Sequence, residues 1–300
     1  MHKKKVLVIG ATSTVGRHVV DQLAAAGEVE AIAGVRTPSK AKAFNDEGIS
    51  TVELDLYSVE SVRNSLKGID RIFLLTGYTV DMLIQSKLVV DQAQALEVEH
   101  IVHMGAWAPD DTDLGHFAWH QFVEAYIELS KLGWTHLAPG MFMQNMLGGG
   151  TLWGAFSSAG QKASRPLHAF TGEGRLGWIA AEDIAQVAVA ALHQPSKHDG
   201  KKYNLSVEVK SVREIAETLA TTLGHPFHAE IHEPEKFYQS LIAGGMEPTY
   251  AACARETLLR FGQSAIPGQE NTFPFEEITG VKPIDWPQFA RLHQAQFLGS

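Results

Sequence analysis

Gly10, Ser13 and Gly16 stand three residues apart, where the apolar run Val6 to Ile9 gives way to the amphipathic stretch Val15 to Leu23. This arrangement suits phosphate chemistry. A buried strand that ends in a glycine turn and feeds a helix aims loop amides and the helix N-terminus at one point, where an anion is favoured by roughly 0.3–1 kcal/mol or more. Glycine is needed where backbone must approach a pyrophosphate closely. The loop supplies Gly10, Thr12, Ser13, Thr14, Val15 and Gly16 as cofactor-binding candidates. Ser13 brings both a Cβ that would crowd a phosphate and a hydroxyl that would bond one, and the sequence leaves the two readings open. A second pair, His116 and His120, has the i, i+4 spacing that places both imidazoles on one helix face. Metal binding by His-x-x-x-His of the metalloprotease kind needs a glutamate beside the first histidine. Phe117 stands there, so no metal is expected, although His100 or His103 is conceivable as a third ligand.

Cofactor choice rests on Arg36. An acidic side chain at the tip of the second strand holds the ribose hydroxyls of NAD. Here Arg36 takes that place, with Lys40 one helical turn later. A guanidinium forks onto phosphate, so the pair points to the 2′-phosphate of NADP(H), with NAD(H) the less favoured cofactor. Further contacts fall at the ends of later strands: Asp55 and Leu56 for the adenine, Leu75, Thr76 and Gly77 over the ribose, then Met104, Gly105, Pro139, Gly140 and Phe142. Trp107, Met143, Asn145, Trp153 and Trp178 are the candidates for contact with a substrate.

Positioning these residues requires strands alternating with helices. Apolar runs predict strands at 6–9, 30–36, 51–54, 70–75, 100–104, 134–137 and 202–205. Helical periodicity fills the gaps between them, including a long helix at 80–96 and one at about 114–132. Such alternation gives an α/β, doubly wound parallel sheet of the Rossmann type, with ligands at the carboxyl ends of the strands. After Asn145 the alternation breaks, in a glycine- and serine-rich stretch to Ser164. A capping box at Ser211–Glu214, a strand at 227–231 and helices at 235–243, 248–261 and 286–297 follow. The expected division is a cofactor domain of residues 1–140 continued by 182–206. A smaller, discontinuous C-terminal substrate lobe takes 141–181 and 207–300.

Composition excludes several classes. The 300 residues are 45% hydrophobic and 20% charged, enough apolar material for a sizeable core. A net charge of −9 disfavours nucleic acid and anionic membranes as partners. Cys253 is the lone cysteine, so no intrachain disulfide or thiolate cluster forms. No apolar run reaches the ~18 residues of a membrane span, and no signal peptide is expected ahead of the first strand. The expected location is cytoplasmic.

Taken together, the stretches 10–16, Val35-Arg36, 139–145, Asp183-Ile184-Ala185 and 289–297 resemble the NmrA-like group of atypical short-chain dehydrogenase/reductases. The glycine loop resembles the G-x-x-G-x-x-G loop of that superfamily, with serine at its middle glycine. The resemblance implies an NADPH-dependent oxidoreductase that passes hydride to a quinone-like, dye-like or other conjugated small-molecule acceptor. The alternative it implies is a non-catalytic NADP(H)-binding redox sensor with a regulatory protein partner. A monomer or homodimer is expected. The superfamily's Tyr-x-x-x-Lys pair is replaced by the stretch from His116 to His120, which makes these histidines the catalytic candidates. His120, at about the lysine's position, is expected to contact ribose or substrate.

Overall fold

The computed structural model describes residues 3–147, 165–263 and 273–299. Strand β1 (Lys5–Ile9) has Val6 to Ile9 buried, as a strand covered on both faces requires. The chain then alternates through α1 (Thr14–Ala26), β2 (Glu30–Val35), α2 (Pro38–Asp46), β3 (Ser50–Glu53), α3 (Val59–Ser65), β4 (Arg71–Leu74), α4 (Met82–Ala95), β5 (His100–Met104), α5 (Gly115–Glu128) and β6 (Gly133–Pro139). A short β7 (Met141–Phe142) and a 3-10 turn over Met143–Met146 lead away from the sheet.

The second part of the chain opens with β8 (Arg165–Ala169) and β9 (Leu176–Ile179). It returns to the main sheet through α6 (Ala181–His193), α7 (Pro195–His198) and β10 (Lys201–Leu205). The remainder comprises β11 (Glu208–Lys210), α8 (Val212–Leu223), β12 (Phe227–Ile231), α9 (Pro234–Ala243), α10 (Pro248–Gly262), α11 (Phe275–Thr279), α12 (Trp286–Leu292) and α13 (Gln294–Leu298). Ser211 and Glu214 form the expected capping box at the start of α8.

The main sheet has seven strands in the order β10-β6-β5-β4-β1-β2-β3, every neighbouring pair parallel. This is the doubly wound α/β sheet read from the sequence, with its topological switch point between β1 and β4. Alternation along β1 decides the layers. Val6 and Val8 face a cluster that includes Val15, Val19 and Leu23 of α1 and Ile184 and Ala188 of α6. Leu7 and Ile9 face the opposite cluster, with Val89 of α4 and Ile127 of α5. The first cluster runs on without a break into Leu219, Phe237, Tyr250 and Trp286 beyond the sheet. Two small sheets, β11-β9-β7 and β12-β8, carry that part of the chain.

The C-terminal helix departs from its prediction. The span 286–297 is broken at His293, which packs on Phe289 with ring centroids 4.3 Å apart and approaches the Glu182 carboxylate at 3.5 Å. No helix among the described residues is long and apolar enough to cross a membrane.

Candidate functional site

The turn after β1 is built by two glycines that admit no side chain. Gly10 has φ +81°, and a Cβ there would meet the Leu75 carbonyl at 2.6 Å. A Cβ on Gly16 would lie 2.1 Å from the Gly10 carbonyl oxygen, so α1 is pressed directly onto the turn. Ser13 stands between them. It is the N-cap of α1, its Oγ accepting from the Gly16 amide at 3.0 Å, a contact worth about 0.5–2 kcal/mol. Its hydroxyl is thus turned onto its own helix. Thr14 and Val15 take the first two helical positions, whose amides have no intrahelical acceptor, and both border the cavity described next. The first turn of α1 carries no acidic residue to oppose an anion.

A cavity of about 680 Å³ opens over the carboxyl ends of β1, β4, β5 and β6. One side is the sheet edge: Thr12 to Val15, Leu75 to Gly77, Met104, Gly105, Trp107, Pro139, Gly140, Phe142 and Asn145. The far side is α5, with His116 and His120, and the helices α9 and α10, with Phe237, Tyr250, Leu258 and Phe261. Among the described wall residues there is no Asp, Glu, Lys or Arg. The Tyr78 and Tyr250 rings lie 5.3 Å apart, and Tyr250 meets His116 edge-on at 5.7 Å. Gln144 fixes the rim. Its Nε2 donates to Glu182 at 2.6 Å and its Oε1 accepts from the Ala181 amide at 3.0 Å, which ties the turn after β7 to the start of α6.

The two histidines share one face of α5, their rings 6.2 Å apart. His120 is 5.9 Å from His103 of β5, which meets His136 of β6 edge-on at 5.3 Å. Burial pushes His116 down to about 4 and His120 down to about 3, the latter helped by His116 and Lys202. Both residues keep some exposed area, yet their Nδ1 atoms are out of water and find no partner among the described residues. Both are therefore neutral at pH 7. Glu124, one turn beyond His120, is bonded to Lys202 of β10 at 2.6 Å instead of pairing with His120. Its other oxygen presses on Gly105, where a Cβ would meet it at 2.9 Å.

The structure brings most of the sequence candidates together. Arg36, Lys40, Asp55 and Leu56 lie off the cavity wall, beyond the ends of β2 and β3 on the same edge of the sheet. Arg36 and Lys40 are exposed there, and the Arg36 charge reaches the Tyr57 hydroxyl. Two substrate candidates are corrected. Trp178 is fully buried on β9, its indole N–H donating to the Lys210 carbonyl at 2.9 Å and its ring edge-on to Trp286 at 5.5 Å. Met143 is likewise fully buried, because the 3-10 turn aims it into the core while Gln144 and Asn145 face the cavity. Trp153 lies outside the described residues. The sequence reading missed the α9 and α10 wall. Tyr250, Ala254, Leu258 and Phe261 fall on one stripe of a helix that was correctly expected, and that spacing was the available signal.

Comparison with known proteins gives the family and supports the fold. The family model described as the NmrA-like family matches residues 2–277. The chain is 29% identical over 294 residues to an NAD(P)H azoreductase of Xenophilus azovorans, covering 97% of this chain and 99% of that protein. Among solved structures it is similar to the triphenylmethane reductase of Citrobacter sp. complexed with NADP(H), with a TM-score of 0.77, 18% identity, and 97% and 99% of the two chains covered. An NADPH-dependent quinone oxidoreductase of Escherichia coli complexed with NADPH gives a TM-score of 0.77 at 20% identity, with 97% and 99% covered.

Proposed function

Because the chain belongs to the NmrA-like family, we propose that it is an NADPH-dependent reductase of conjugated acceptors that carry no negative charge, such as quinones and dyes. The observation that carries this reading is the wall of the cavity. It offers Tyr78, Trp107, Phe142, Phe237, Tyr250 and Phe261 against the ends of β4 to β6, and no charged side chain among the described residues. Aromatic faces favour a planar ligand. A wall without a cation would leave a carboxylate or phosphate on the substrate desolvated and unpaired, which is costly. Relatives with redox names of this kind support the acceptor class: an azoreductase, a triphenylmethane reductase and a quinone oxidoreductase.

Residues 1–140 with 182–206 hold the cofactor in this reading. The amides of Thr14 and Val15 take the pyrophosphate, and Arg36 with Lys40 takes the 2′-phosphate. Thr76 and Gly77 let the chain pass over the ribose. The close approach forced at Gly10 and Gly16 is the fit a dinucleotide needs. When bound, the cofactor supplies a hydride to the acceptor; a neutral quinone or azo group also takes one proton from water, and a cationic dye needs none. The chain's part is to orient the acceptor and keep the site dry. Conjugated acceptors spread the incoming charge, so they tolerate the missing Tyr-x-x-x-Lys pair. His120, neutral at pH 7, serves as a positioning contact to ribose or acceptor.

NADPH oxidation measured across neutral quinones, azo dyes and triphenylmethane dyes tests the proposal, each quinone paired with its carboxylated analogue. Turnover of neutral quinones with poor turnover of the carboxylated forms is expected. Tight NADPH binding without oxidation by any acceptor would overturn the enzyme reading in favour of a sensor.

A further inference from the structure

Away from the cavity, β8 and β12 form a two-stranded parallel ribbon in which His168 is paired with Glu230. His232 follows two residues after Glu230, its amide donating to the Ala169 carbonyl at 2.8 Å. Residues two apart on an extended chain share a face, so three side chains meet on one side of the ribbon. His168 Nδ1 lies 2.8 Å from His232 Nε2, and Glu230 carboxylate oxygens lie 3.9 and 3.7 Å from the two nitrogens. One ligand atom from each residue fits within a 4.8 Å span.

Two imidazole nitrogens at this distance cannot aim lone pairs at one another. A proton or a cation must lie between them. Zinc binds imidazole at about 2.0–2.1 Å with tetrahedral angles, which sets the two nitrogens about 3.3 Å apart, so the rings need to part by only about 0.5 Å. We propose that His168, Glu230 and His232 form a three-ligand site for a divalent transition metal of the zinc type, clipping β8 to β12 and leaving a fourth position for water. Two imidazoles and one carboxylate suit zinc, cobalt or nickel better than the all-oxygen shells of calcium or magnesium. The imidazoles are mostly buried while the Glu230 side chain is 49% exposed, so the carboxylate side is the route by which an ion enters. The site shares no residue with the cavity wall, so it stands or falls independently of the reductase reading.

Lys236 of α9 opposes the metal. Its Nζ is 3.2 Å from His232 Nδ1. Donation by this ammonium holds the proton of His232 on Nε2, the atom the metal needs, and its charge repels a cation. Lys236 is exposed, and Lys236→Gln should therefore bind metal more tightly than the native chain. A purely structural cluster gives no such gain.

The untagged full chain, stripped with chelator, is titrated with zinc by calorimetry and with cobalt by visible absorption. One zinc per chain and the intense visible bands of four-coordinate cobalt are expected. At least ten-fold weaker binding is expected in His232→Asn and Glu230→Gln, and several-fold tighter binding in Lys236→Gln. No binding by the native chain, or binding that His232→Asn and Lys236→Gln leave unchanged, would overturn the site. If His232→Asn does not fold, Lys236→Gln alone decides.

Discussion

Asp183 offers a stability test whose size follows from the structure. It sits in the first turn of α6, fully buried, one oxygen accepting from the Ile284 amide at 2.8 Å and the other without a partner among the described residues. Burial pushes its carboxyl up to about 7, and the neighbouring Glu182 charge adds to the rise. In the unfolded chain an aspartate titrates near 3.9. The folded state therefore holds the proton more tightly. Its contribution is fully present below about pH 4 and is lost as the pH rises through about 7. With these two values, raising the pH from 5 to 8 removes about 2.5 kcal/mol. For 300 residues this is about 4 °C in the thermal midpoint. Asp183→Asn retains an acceptor for Ile284 and has no proton to lose. Buried His103, His116, His120 and His136 tilt the curve the other way below about pH 6.5, because burial holds them neutral. They do so in both proteins and cancel in the difference. Urea unfolding of the two proteins from pH 5 to 8 should show Asp183→Asn gaining on the native chain as the pH rises. A difference that stays constant to within about 0.5 kcal/mol would refute the reasoning, since that is the uncertainty expected for independent effects.

Two further outcomes concern the site. Arg36→Ala should weaken NADPH binding by about 1.5–3 kcal/mol, roughly ten- to a hundred-fold, while NADH binding barely changes; equal losses in calorimetry would show that Arg36 does not read the 2′-phosphate. His120→Ala should lower NADPH affinity and turnover moderately and leave the pH profile above pH 5 unchanged, because the imidazole is already neutral there. A loss nearer the 10²–10⁴-fold of proton transfer, with a limb of the profile removed, would make His120 an acid instead.

Local chemistry was legible in the sequence, and distant contact was not. The glycine loop, the Arg36 tip, the capping box at Ser211 and the alternation of strands with helices follow from periodicity and turn residues within short windows. The partner of Glu124 is Lys202, 78 residues on, and the partner of Gln144 is Glu182, 38 residues on. No local pattern encodes either pairing. Trp178 shows the same limit from another side. An indole in a lobe expected to bind substrate reads alike whether it lines a cavity or fills a core, and Trp286 opposite it, 108 positions later, decides the matter. The α10 stripe was readable as apolar, but what it covers depends on how α9 and α10 close over the sheet edge.

The packing of α6 against α1 also sets a timetable for synthesis. Gln22 of α1 is bonded to the Glu182 carbonyl across 160 residues, and Val15, Val19 and Leu23 share a core with Ile184 and Ala188. At about 5–20 residues per second, α6 leaves the ribosome roughly 8–30 s after α1. Over that interval the glycine turn is already made, while the helix it opens shows an uncovered apolar stripe. The sheet's outer strand β10 comes later still and pairs with β6 from beyond the intervening strands β7 to β9. The glycine turn after β1 thus gains its rigid backing only when the second half of the chain arrives.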